Sequence, residues 1–354
     1  MRKYCVLPVL FVVVFSFASC NKKQNPVTPE STEILNDLVS KIENHQYGGA
    51  AHSLIIVKDD SVVFEKYFNG YTRETKQAIY SVTKSFTSAL IGICLDKGYI
   101  ENLDKKALDY FPEYRNAIAN DDSLKEAITI RDLLTMTAGF SWDEWTTLYS
   151  DPNNDVDKLI QSSDWIKYVL DRPMSHAPGI YVTYNSGVSN ILSAIITKAT
   201  GESARDFAEE NLFPYLGIQD WSWDNRPNGV SIGGWGLSLR PIDMIKLGRL
   251  YLKKGRWNDA QVISERWIED STAPLHPINQ WCDYGYQWWR YGKAMVDAGL
   301  LPSTDINFAA GRGEQYVWVI PEYNAVAACT AWNDGQTLFE PVLWEYIMKV
   351  LPTL

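Results

Sequence analysis

The stretch Tyr80–Leu90, YSVTKSFTSAL, decides how the chain is read. From Ser81 the apolar positions Val82, Phe86, Ala89 and Ile93 recur at helical spacing, and Gly98 after Lys97 is a C-terminal stop. The pattern predicts a helix that is apolar on nearly all sides and therefore buried. It also sets Ser81 three residues ahead of Lys84, on one helix face. A serine hydroxyl is a weak nucleophile until a base removes its proton, and burial lowers a lysine pKa enough to supply that base. The positive end of the helix favours negative charge developing beside Ser81. The four-residue string alone carries little, because Ser19–Lys22 repeats it at the start of the chain. Lysines are rarely buried for packing, however, so Lys84 on such a helix demands a partner or a task.

On either side of this helix the character of the sequence changes. Upstream, residues 32–46 have amphipathic helical spacing, and SLIIVKDDSVVFEKYF reads as strands 53–58 and 61–68 joined at Asp59-Asp60. Downstream, Thr129 is an N-cap candidate with Gly139 as the following stop, and helices are expected from about Gly187 to Ala199 and from Ser203. Strand character returns at 284–291, 315–321 and 324–332, followed by a closing helix over 336–350. Strands at both ends around a helical middle imply an α+β fold, an α/β sandwich. Its antiparallel sheet is built from the two chain ends, over 32–80 and 225–354, with a mostly helical inserted domain over 81–224.

The first residues stand outside this body. Residues 1–19 have a basic start (Arg2, Lys3), an apolar run and small residues just before Cys20, the physics of a secretory signal. Residues 20–31 are polar and Pro-containing, as in a tether. The net charge is −10 with no compensating basic stripe, which argues against a nucleic-acid partner. Of the other cysteines, Cys94 and Cys329 lie in apolar runs, and the odd set of Cys94, Cys282 and Cys329 implies no disulfide framework. The histidines show no paired-ligand spacing, so no metal and no cofactor are expected. Fourteen Trp and twenty Tyr fit core packing or an aromatic-lined cleft.

Six blocks occur in the order seen in serine β-lactamase-like hydrolases: SVTK, ITIRDLLTMTAGF, PGIYVTYNSG, GGWGLSLRPIDMIKLGRLYLKKGRW, YGYQWW and AAGRGEQYVWVIP. The sequence resembles that group, which includes class C β-lactamases, D-alanyl-D-alanine carboxypeptidases, esterases and 6-aminohexanoate-dimer hydrolases. The resemblance covers roughly residues 50–345 and implies a DD-peptidase/β-lactamase-like fold. It implies that Ser81 is the acylated nucleophile, Lys84 assists its deprotonation, and Tyr184 relays protons to the leaving group. A tyrosine beside an ammonium is expected to ionise more easily. The backbone N–H groups of Ser81 and Glu314 would form the oxyanion hole, with Ser186, Gly311, Arg312 and Gly313 as substrate-binding candidates. The FASC segment resembles a lipobox, which implies lipidation of Cys20 and a membrane-anchored lipoprotein facing the periplasm of a bacterial envelope.

The chain departs from the group's pattern twice. Ser186 stands where Asn is usual two residues after Tyr184, and no K-T-G, K-S-G or H-x-G occurs. The KKG of Lys253–Gly255 falls at a helix-to-loop exit, and the matching block is GRGEQ, Gly311–Gln315. Literal Tyr-x-Asn strings at Tyr67–Asn69 and Tyr114–Asn116 fall outside the matching block and read as accidental. These departures weaken a β-lactamase or peptidoglycan-peptidase reading and favour cleavage of a small amide or ester, as in the aminohexanoate-dimer hydrolase and esterase branch. The alternatives are a penicillin-binding D-stereospecific peptidase, a true β-lactamase, or a non-catalytic envelope lipoprotein that kept the fold. An α/β-hydrolase triad is disfavoured because G-x-S-x-G is absent.

Overall fold

The computed structural model describes residues 28–119, 123–333 and 340–354. Cys20, the leader and most of the expected tether lie outside them. Eight strands form the main sheet: β1 Ala51–Lys58, β2 Ser61–Tyr67, β3 His276–Pro277, β4 Cys282–Tyr284, β5 Trp289–Tyr291, β6 Asn307–Gly311, β7 Gln315–Ile320 and β8 Ala325–Ala331. Their order is β2-β1-β8-β7-β6-β5-β4-β3, antiparallel throughout, so the two ends of the chain meet where β1 pairs with β8. Asp59 and Asp60 turn the first hairpin with φ of 49° and 65°, the positive values a tight two-residue connection needs.

Both faces of this sheet are covered. Alternate residues of β1 enter opposite cores, Ile55 and Val57 on one side and Leu54 and Ile56 on the other. The same alternation sends Val317 and Val319 of β7 one way and Tyr316, Trp318 and Ile320 the other. Burial on two faces explains why AVAACTA reads as one continuous apolar run. One face is covered by α1, Pro29–Glu43, and by a C-terminal helical stretch from Glu340 to Val350 whose middle, Leu343–Ile347, is π-helical. The other carries α2 Thr83–Asp96, α3 Ile130–Leu134, α4 Ser186–Thr200 and α5 Pro241–Leu252. Helix α5 lies so close to the sheet that a Cβ on Gly248 would sit 2.6 Å from Val317 and Val326.

Local signals place the helix ends. The Thr129 and Asp132 side chains form a reciprocal capping box at α3, Asn185 caps α4, and Gly201 ends α4 with φ of 83°. Three expectations shift. Helix α1 starts at Pro29, inside the expected tether, because Thr28 caps it and proline suits the first helical position. The expected strand 284–291 is split by a turn over 285–288 between β4 and β5, with Gln287 at φ 59°. The buried Gln287 side chain donates to Leu133 O at 3.2 Å and Leu134 O at 2.9 Å, and accepts from Ser189 at 2.6 Å, which fastens this turn to α3 and α4. A small second sheet of Gln77–Ala78, Leu237–Leu239 and Trp221–Trp223 joins the two borders of the expected helical part.

Candidate active site

Ser81 sits in a 3-10 turn, Tyr80–Val82, and the α-helix itself begins at Thr83. Tyr80 holds φ of 46°, which swings the chain from the small sheet into this turn. Ile79 N–H donates to Leu237 O at 3.0 Å and Val82 N–H to Ile79 O at 3.1 Å, so the turn is anchored on both sides. The end of β6 abuts it. A Cβ on Gly311 would collide with Ile79 O and come within 3.2 Å of Ser81 N, so only glycine lets the two backbones meet there.

One turn along α2, Lys84 is 1% exposed. Its Nζ donates to Ser81 Oγ, to Ser186 Oγ and to Gly234 O, each at 2.9 Å. Two glycines make the last contact possible. A Cβ on Gly233 would lie 2.5 Å from Ser189 O and one on Gly234 3.0 Å from Ser186 O, so side chains there would force the loop away from α4. Burial pushes the Lys84 ammonium down to about 8, against the opposing pull of Glu144. Near neutral pH a useful fraction of this lysine is thus a free base.

Tyr184, just before α4, presents its ring face to Lys84, with Nζ 4.9 Å from the centroid. Tyr184 and Ser81 line the same recess. Contrary to the expected easier ionisation, burial and the Glu144 charge push the phenol well above its ordinary range. Tyr184 is therefore a neutral hydroxyl at working pH. The two literal Tyr-x-Asn strings lie elsewhere: Tyr67 ends β2 and bonds Glu65, and Tyr114 bonds Asp164.

After Gly311 the chain turns through Arg312, Gly313 and Glu314 into β7. Glu314, expected as the second oxyanion donor, instead gives its N–H to Gly311 O at 3.2 Å within this turn. Its side chain is buried and accepts from Asn333 at 3.3 Å. The Arg312 guanidinium stacks over Tyr149 and Trp332, 5.0 and 5.4 Å from their ring centroids. Ser81 opens onto two recesses. One, of about 520 Å³, is walled by Trp145, Tyr149, Tyr184, Trp289 and Tyr316. The other, of about 210 Å³, is bounded by Tyr80, Val156, Ile160 and Trp235. The aromatic excess thus serves both purposes, since Trp223, Trp288 and Trp318 are fully buried packing.

Sequence reasoning did not find Glu144, in the loop after α3. It is 2% exposed, and its carboxylate accepts from Trp142 Nε1, Ser186 N and Ser186 Oγ at 2.7 Å and from Tyr149 OH at 3.3 Å. A glutamate between two tryptophans in WDEW was the available signal.

With this geometry in place, likeness to known proteins becomes informative. The Beta-lactamase family model matches residues 35–351. The chain belongs to the Beta-lactamase family. A 6-aminohexanoate-dimer hydrolase of Paenarthrobacter ureafaciens is 20% identical over 343 residues, covering 89% of this chain and 82% of that protein. Penicillin-binding protein 4 of Amycolatopsis lactamdurans is 23% identical, over 77% of this chain and 76% of its own length. Among solved structures, EstCE1, a hydrolase with promiscuous acyltransferase activity, matches with a TM-score of 0.74 at 13% identity, over 92% of this chain and 99% of that one. The family chain is accordingly a hydrolase of the β-lactamase fold, α+β with a mixed helical and antiparallel-sheet body.

Proposed function

We propose that this family member is a serine hydrolase that forms an acyl-enzyme on Ser81 and cleaves an amide or ester bond of a small substrate. The observation that carries the reading is the 2.9 Å contact between Ser81 Oγ and the buried, weakly basic Lys84. Neutral Lys84 takes the Ser81 proton as Oγ adds to the substrate carbonyl. The developing oxyanion is met by Ser81 N–H and by the N–H of Arg312, which follows Gly311 where β6 abuts the serine turn. Tyr184 passes its hydroxyl proton to the departing amine or alkoxide, and the proton held by Lys84 replaces it. Acylation therefore involves no net proton change, and water reverses the sequence to release the acid.

The substrate side follows from what lines the cleft. β6 runs Asn307–Gly311 and presents no Lys or His before Gly311, and Ser186 rather than Asn stands two residues after Tyr184. Aromatic walls suit an apolar or flat acyl group. These features support the amidase and esterase branch, in keeping with the name of the 6-aminohexanoate-dimer hydrolase among the relatives. The test is to incubate the protein and its Ser81→Ala variant with a fluorophosphonate, p-nitrophenyl esters, a linear aminohexanoate dimer, nitrocefin and D-Ala-D-Ala peptides, following turnover and intact mass. A Ser81-dependent adduct with ester or linear-amide turnover is expected. No adduct on the native protein overturns the reading.

A further inference from the structure

The three acceptors around Lys84 differ in one respect. Gly234 O is a carbonyl and can only accept. Ser81 and Ser186 are hydroxyls and can accept or donate. Lys84 as an ammonium uses all three hydrogens on them. As a neutral amine it has two hydrogens and a lone pair, and the lone pair must face a group that can donate. Two of its hydrogen-bond partners are hydroxyls, and only one of them is the nucleophile.

We propose that Glu144 is a positioning residue for catalysis: by holding the Ser186 hydroxyl proton, it leaves Ser81 as the one group hydrogen-bonded to Lys84 that can give it a proton. Ser186 Oγ donates to Glu144 Oε1 at 2.7 Å, so toward Lys84 it can only accept. The orientation of Glu144 is itself fixed. Its other oxygen receives Ser186 N–H and the Trp142 indole N–H at 2.7 Å each, donors that cannot reverse. With Ser186 and Gly234 both restricted to accepting, the lone pair of the neutral amine is directed at Ser81. This arrangement gives the serine at the usual Asn position a purpose. It rests on the reading that Lys84 deprotonates Ser81.

Glu144 also acts through its charge, favouring the ammonium against burial. The other titratable groups around the site are Tyr184, Tyr149 and Tyr284, whose phenols burial keeps neutral, with Arg312 and Glu314 on the wall formed by the turn after β6.

Glu144→Gln separates the two actions. The two fixed N–H donors require the amide oxygen on their side, which turns the amide NH2 toward the Ser186 and Tyr149 hydroxyls. Ser186 then accepts from Gln and points its proton at Lys84, where it competes with Ser81 for the lone pair. The readout is the second-order rate of Ser81 phosphonylation by a fluorophosphonate against pH, followed by intact mass, with the thermal midpoint of each variant as a folding control. In Glu144→Gln the acidic limb is expected to move down by about one pH unit, because the favouring charge is gone. The plateau rate is expected to fall about tenfold or more, because the base is misdirected. In a Ser186→Ala background the same substitution should still move the limb but cause no further loss of plateau. An unchanged plateau in Glu144→Gln, or an equal loss with and without Ser186, overturns the proposal while leaving the acyl-enzyme reading intact. Absence of any Ser81 adduct on the native protein defeats that reading first. Should Glu144→Gln not fold, Ser186→Ala carries the test: with no competing hydroxyl beside Lys84 the plateau is expected to stay within about threefold of native with the limb still near pH 8, and a fall of about tenfold or more overturns the proposal.

Discussion

Lys84→Met isolates what the buried lysine costs the fold and what it does for the reaction. Its ammonium is depressed from the ordinary 10.5 to about 8 by burial. The unfolded chain therefore binds more protons than the folded one between those values, and stability contributed by this site rises with pH across that window. Below pH 8 the full penalty applies, on the order of 3 kcal/mol from the size of the shift. Methionine fills similar volume without a charge, though Gly234 O loses its donor. The variant is expected to be inactive yet more stable than native at pH 7, by about 1–3 kcal/mol, with the advantage gone above pH 10.5. Urea unfolding at pH 7 and pH 11 reads this directly, and a variant less stable at pH 7 would contradict it. The same depression places the acidic limb of native kcat/KM near pH 8, activity rising as the lysine loses its proton.

At the scale of elements, the site depends on a strand end meeting a turn. Gly311 of β6 lies against Ile79 O and Ser81 N, and any side chain there separates them. Gly311→Ala is expected to lower kcat by about 10²–10³, the usual effect of losing an oxyanion donor. Its far-UV circular dichroism should stay native, because the sheet pairs on past this point through β7 and β8. Near-native kcat in that variant would mean the strand end takes no part in the oxyanion hole. Elements of this kind were unequally legible in the sequence. The Thr129 N-cap and the Gly201 stop fell where the residues put them. But α3 ends at Leu134 with Thr135 as its cap, short of the expected stop at Gly139, because the chain leaves the helix at Met136 with φ of 60°. The central strands were visible because burial on two faces leaves an unbroken apolar run. The β4–β5 turn was not, since aromatic residues fill it as densely as the strands beside it. Ser81, Lys84 and Tyr184 were found through motif order rather than spacing alone. Glu144 and Gly234 were missed because their role exists only once the loop after α3 and the GG turn are folded onto α4.

The whole molecule joins its sheet and its helical insertion through one core. Chains of this length commonly divide into parts that melt separately. Here the core beneath the site draws Val57 from β1, Val317 and Val319 from β7 and Val326 from β8. It combines them with Phe86 and Leu90 from α2, Leu133 from α3, Ile191 and Ile195 from α4, and Leu247 from α5. Losing the helical part would expose the apolar face of the sheet, and losing the sheet would strip α2 and α5 of their support. The sheet also cannot close without both chain ends, because β1 pairs with β2 on one side and β8 on the other. Such a molecule should unfold in a single transition. Near-UV circular dichroism, which reports the packed tryptophans, and Ser81 labelling by a fluorophosphonate should be lost at one midpoint. Calorimetric and van't Hoff enthalpies should agree within about 10–20%. A chain ending before Ala325 should fail to give that transition at all, because it lacks β8, the strand that joins β1 to the rest of the sheet. Two resolved calorimetric peaks in the full chain, or labelling lost well below the near-UV midpoint, would show instead that the helical insertion has a stability of its own.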